Sequence, residues 1–97
     1  MGTLLYSDSR YATPFTDREL AHLKLVMVAK LRRNEAFTFS WDKPEGGRVS
    51  LWISAQIPLI FEFDDATPVE INREWIDEMS QGASSLNGLV LTSEPTA

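Results

Sequence analysis

The sequence predicts an α+β fold: a two-layer sandwich in which one mainly antiparallel sheet, with elements in the order ββαβββαβ, carries two helices on one face. Three observations lead there. Apolar residues recur every three or four positions between Thr16 and Arg33, and at every second position between Phe37 and Phe63. Glycine, proline, asparagine and aspartate cluster between these stretches, where a chain turns.

In chain order, Thr3-Leu4-Leu5-Tyr6 reads as a short strand. A turn at Ser7-Asp8-Ser9 leads to a second extended piece around Arg10-Tyr11-Ala12-Thr13, so the pair predicts a hairpin. Thr16-Asp17-Arg18-Glu19 has the spacing of a capping box, in which the threonine hydroxyl and the glutamate each satisfy a free backbone N–H. A helix over Asp17 to Arg33 follows, with Leu20, Leu23, Met27 and Leu31 as its apolar stripe. Lys30, Arg32 and Arg33 in its last turn complement the helix dipole, and Asn34 is its stop.

Phe37, Phe39 and Trp41 then alternate with Thr38 and Ser40, as in a half-buried strand. Asp42 to Gly47 reads as a hairpin loop, and alternation resumes with Val49, Leu51 and Ile53, then with Leu59, Phe61 and Phe63. These three strands are expected to form an antiparallel meander. Asn72 is placed to cap a short helix that turns Trp75, Ile76 and Met79 inward, and Gly82 to end it. Gly88 to Thr92 predicts a last strand. Residues 1–92 are expected to form one domain and residues 93–97 a flexible tail.

Ninety-seven residues suit one core, and 43% hydrophobic with 24% charged residues is an ordinary globular composition. Without cysteine there is no disulfide and no thiolate nucleophile or metal ligand. The first residues lack the pattern of a signal peptide, and the apolar run Leu25 to Ala29 is far short of a membrane span, so a cytoplasmic, non-membrane protein is expected. A net charge of −5 repels phosphate polymers on average, so nucleic-acid binding needs a local basic patch.

The segments Gly2-Thr3-Leu4-Leu5-Tyr6, Leu20-Ala21-His22-Leu23, Lys30-Leu31-Arg32-Arg33, Phe37-Thr38-Phe39-Ser40-Trp41, Trp52, Ile57-Pro58-Leu59 and Ile71-Asn72-Arg73-Glu74-Trp75 resemble a family of short actinobacterial proteins of uncharacterised function. Many of these carry the label ATP-dependent DNA ligase, so the resemblance brings a name that the residues must support. A ligase of that kind needs a lysine nucleophile in a Lys-x-Asp-Gly motif. The nearest fragment, Lys43-Pro44-Glu45-Gly46, has glutamate in place of the aspartate and reads as an exposed loop.

No other enzyme constellation stands out. His22 is the only histidine and lies beside the first helix's apolar stripe, as a structural histidine does. Glu62, Asp64 and Asp65 read as a solvated strand end, and no glycine-rich phosphate loop is present. No catalytic residue, metal site or cofactor is expected.

Two functional readings follow. The favoured one is a non-catalytic protein-interaction or accessory module. Parity sends Trp52 outward with Ser40, Ser50, Ile60 and Glu62, and an aromatic beside an isoleucine among small hydroxyls has the composition of a contact patch for a partner protein or a homodimer. The opposing reading of Trp52 is an intramolecular cover by the amino-terminal hairpin, through Leu5 or Tyr11. The alternative function is a nucleic-acid-associated accessory protein using Lys30, Arg32, Arg33 and Arg48, the only basic cluster.

Overall fold

In the computed structural model, which describes residues 2–7, 9–11 and 15–95, six strands and two helices follow the expected ββαβββαβ order. Strands β1 (Thr3–Tyr6) and β2 (Ser9–Tyr11) pair antiparallel as a hairpin; Asp8, Ala12 and Thr13, also expected in it, lie outside the described residues. Helix α1 (Asp17–Arg32) opens on the capping box: the Thr16 hydroxyl accepts from Glu19 N–H at 3.0 Å, and the Glu19 carboxylate accepts from Thr16 N–H at 2.8 Å. It closes on Asn34, whose φ of 59° lets Glu35 N–H reach Lys30 C=O and Asn34 N–H reach Leu31 C=O, a Schellman arrangement.

The inward side of α1 is broader than its expected stripe. Leu20, Leu23 and Met27 are buried, but so are His22, Val26 and Lys30, while Leu31 is only half-buried. Helix α2 (Arg73–Ala83) accounts for the difference, since it packs on α1 along the 22–26–30 line and brings its Trp75 ring to 4.6 Å from His22. Asn72 caps α2 as expected, accepting from Trp75 N–H at 3.3 Å, and Trp75 and Met79 are buried.

The remaining strands are β3 (Phe37–Asp42), β4 (Arg48–Ile53), β5 (Leu59–Glu62) and β6 (Leu89–Val90). They do not form one sheet. One three-stranded sheet has the order β2-β1-β5, all antiparallel, and the other has β4-β3-β6, with β6 parallel to β3. The expected meander therefore holds only for β3 and β4. After Ile53 the chain turns sharply, with Ile57 N–H on Ser54 C=O, and Pro58, which has no N–H of its own, accepts from Ser7 N–H on the hairpin. This delivers β5 to β1, pairing Leu4 with Phe61 and Tyr6 with Leu59.

Gly82 does not end α2, which runs on to Ala83; the glycine the fold requires is Gly88, at φ 73°. A Cβ there would stand 2.5 Å from Thr38 O, so only glycine lets β6 enter beside β3. The core between the layers holds Leu4, Leu23, Met27, Phe39, Ile53 and Met79, with Phe15 and Trp41 meeting edge to face at 5.0 Å.

Candidate functional site

Strand β3 is central in its sheet and sets both faces. Phe37, Phe39 and Trp41 point to the core, and the register Thr38↔Trp52, Ser40↔Ser50 and Asp42↔Arg48 puts these six side chains on the opposite face, with Val90 beside Ser40. Trp52 is 63% exposed there. Next to it a shallow groove of about 420 Å³ runs between Thr38, Trp52, Glu35, Ser84 and the fully exposed Leu86. Two large apolar side chains thus flank one depression.

The other residues expected in the patch are distributed differently. Ser40 is only 4% exposed, because a small side chain on a central strand is screened by its neighbours, and its hydroxyl is 2.7 Å from that of Ser50. Ile60 is 53% exposed, but it sits with Glu62 in the other sheet, opposite Leu5 and Thr3. The five residues are therefore not one sheet face. Among the described residues the hairpin meets β4 through Tyr6, whose hydroxyl donates to Trp52 C=O and accepts from Ser54 N–H at 3.2 Å. These bonds hold the backbone and leave the ring open; the Tyr11 side chain lies outside the described residues.

The basic cluster is spread and partnered. Lys30 is 8% exposed, with its Nζ 3.0 Å from Glu35 and 3.4 Å from the Ser84 hydroxyl, and Arg33 meets the same carboxylate at 3.3 Å. The hydrogen bond from Lys30 is the main reason the Glu35 carboxyl titrates below its ordinary value, with the charge of Arg33 contributing. Arg48 donates to Asp42 at 2.7 Å on the other side of the sheet, which lowers Asp42 and raises Arg48. Arg32 is exposed at the end of α1.

Lys43 lies in the β3–β4 hairpin turn, closed by Gly46 N–H on Lys43 C=O and Lys43 N–H on Gly47 C=O. His22, fully buried, has Nδ1 2.7 Å from Arg18 C=O, and its Nε2 accepts from Asn72 N–H at 2.9 Å. A carbonyl can only accept and an amide N–H can only donate, so the ring is the neutral Nδ1–H tautomer with both nitrogens engaged. The ring thereby ties α1 to the residue that caps α2.

Around it lies a network that sequence reasoning missed. Glu94 takes two hydrogen bonds from Arg18, each 2.6 Å, and a third from Asn72 at 3.0 Å, and Asn72 also donates to Pro95 C=O. The Arg18 hydrogen bonds are the main reason Glu94 titrates at about 2. Glu94 and Pro95 belong to the segment expected as a free tail, whereas Thr96 and Ala97 lie outside the described residues.

A second groove of about 340 Å³ separates α1 from the 63–71 segment, lined by Leu25, Phe63, Val69 and Ile71 with Lys24 at its rim. Among the described residues no group of three His, Cys, Asp or Glu could hold a metal ion, and no helix is long and apolar enough to cross a membrane.

A family profile described as a domain of unknown function, DUF7882, matches residues 1–94. The chain belongs to this family. No curated protein and no solved structure matches it. In this DUF7882 chain the match spans every element of the fold, from β1 to Glu94 in the Arg18 network, so the network and the open face of β3 and β4 both lie within the family's extent.

Proposed function

We propose that this DUF7882 protein is a non-catalytic protein-interaction module whose contact surface is centred on Trp52. One observation carries the reading: a tryptophan 63% exposed on a sheet face, across a groove from a fully exposed leucine. Tryptophan is among the residues that contribute most when a protein interface closes over them. Left in water, this ring adds nothing to the core. The fully engaged nitrogens of His22 and the place of Lys43 in a hairpin turn favour this reading over an enzymatic one. The carboxylate partners of Lys30, Arg33 and Arg48 weigh against the nucleic-acid reading, because paired cations release fewer counterions to a phosphate backbone.

The test is affinity capture from the native host with the wild type and with Trp52→Ala, both checked for an unchanged thermal midpoint. Proteins held by the wild type should be lost from the variant. An identical set with both would overturn the reading.

A further inference from the structure

Strand β4 is the outer strand of its sheet, and its backbone parity can be read from three places. Lys43 N–H bonds Gly47 C=O across the hairpin, so odd-numbered residues of β4 face β3. Trp52 C=O and Ser54 N–H both go to the Tyr6 hydroxyl, so even-numbered residues face away. The N–H and C=O of Arg48 and Ser50 and the N–H of Trp52 therefore point out from the sheet edge, where no strand among the described residues pairs with them. Such an edge is a template for another strand.

The geometry points to a second copy of this chain as that strand, added antiparallel to β4 about a two-fold axis at Val49. This rests on the reading of Trp52 as a contact surface and names its partner. Three features select the register. With Val49 on the axis, Arg48 of each copy faces Ser50 of the other, and their outward N–H and C=O groups bond reciprocally, as a two-fold interface requires. Tyr6 already occupies the edge at Trp52 C=O, so a ladder that ran further toward Ile53 would meet it, and this register stops short. Finally, Trp52 of each copy falls over the hairpin loop of the other at Gly46, where a Cβ would meet nothing within 4 Å, so the indole has room. On the inner face the two Val49 side chains meet, continuing the half-buried apolar row of Val49 and Leu51.

The copies each carry −5, so their long-range repulsion is screened by salt and association strengthens as salt is added. The experiment uses sedimentation velocity across a wide concentration range, together with two substitutions. Val49→Cys introduces the only thiol of the chain. At a non-hydrogen-bonded antiparallel pair the Cα atoms stand about 4.5 Å apart, within disulfide range. Mild oxidation should give a covalent dimer of Val49→Cys at concentrations where Ser80→Cys, exposed on α2, gives none. Arg48→Pro removes an outward N–H at the first residue of an edge strand, where proline is tolerated, and should keep its thermal midpoint while losing the dimer.

A wild type that stays monomeric at the highest concentration overturns the proposal, as does Val49→Cys coupling no faster than Ser80→Cys. If the wild type is monomeric while capture still depends on Trp52, the pairing of copies fails and the contact surface stands.

Discussion

Two glycines six residues apart are expected to respond oppositely to the same substitution. Gly88→Ala puts a Cβ 2.5 Å from the Thr38 carbonyl oxygen and 3.0 Å from its Cβ, in a residue held at φ 73°. The left-handed conformation alone costs about 1–2 kcal/mol for a residue with a Cβ. The clash adds to it, because the obstacle is backbone of the central strand β3 and cannot swing aside. Relief requires β6 to withdraw, weakening its parallel pairing and the bond from Leu91 N–H to Ser40 C=O at 3.1 Å, worth about 1 kcal/mol. The expected loss is about 3 kcal/mol. Gly82→Ala, inside α2, meets nothing closer than Gly88 O at 3.7 Å, an ordinary contact, and should gain about 0.5–1 kcal/mol from the stiffer unfolded chain. Urea titrations of both variants, fitted for midpoint and slope, give the two differences directly. A Gly88→Ala protein within about 0.5 kcal/mol of the wild type would refute the close approach of β6 to Thr38.

Thr16→Ala removes the hydroxyl half of the α1 capping box and is expected to cost about 1 kcal/mol, read as a lower midpoint at constant slope. His22→Phe keeps a ring against Trp75 but strands Asn72 N–H, while Arg18 C=O keeps its bond from the His22 backbone N–H inside α1, so a loss of about 1–3 kcal/mol is expected from one unsatisfied group; a neutral midpoint would contradict the bond from Asn72 N–H to His22 Nε2. Glu94 is held at about 2, below the ordinary glutamate value, so its contribution is complete above about pH 4.3 and declines as pH falls toward 2. The thermal-midpoint difference between the wild type and Glu94→Gln should be constant at neutral pH and narrow across that interval; a difference that does not change with pH would refute the pairing with Arg18. Trp41 and Trp75 are buried, so iodide should quench the fluorescence of Trp52 alone, and Trp52→Ala should abolish the quenching with a stability change within about 0.5 kcal/mol.

Local features were legible in the sequence because their physics is local. The capping box at Thr16, the Asn34 stop and the Asn72 cap each depend on residues within three or four positions, and parity along β4 gave the outward direction of Trp52 without any knowledge of its neighbours. Partnerships between distant segments leave no such trace. Arg18 and Glu94 are separated by 76 positions, and no periodicity links them. The last-turn cations looked like one basic cluster because their spacing is visible, whereas the return of Glu35 onto Lys30 and Arg33 follows from the Schellman turn at Asn34, a three-dimensional consequence of one positive φ.

The same distinction explains the sheet. Alternation states which side chains share a face, and the rows Val49, Leu51, Ile53 and Leu59, Phe61, Phe63 would read identically whether β5 lay beside β4 or beside β1. What separates the two arrangements is the stretch between the rows. Ser54 to Ile57 closes a turn, Pro58 cannot donate to a ladder and accepts instead from Ser7, and Tyr6 then places its hydroxyl on the far edge of β4 at Trp52 and Ser54. The tyrosine occupies the end of the edge that a continuous meander would have given to β5. Among the described residues no strand pairs with the rest of that edge, Arg48 to Trp52, beside the exposed Trp52. The break in the meander thus leaves β4 as an outer strand, and a substitution that restored β5 to β4 would remove the edge proposed for the second copy.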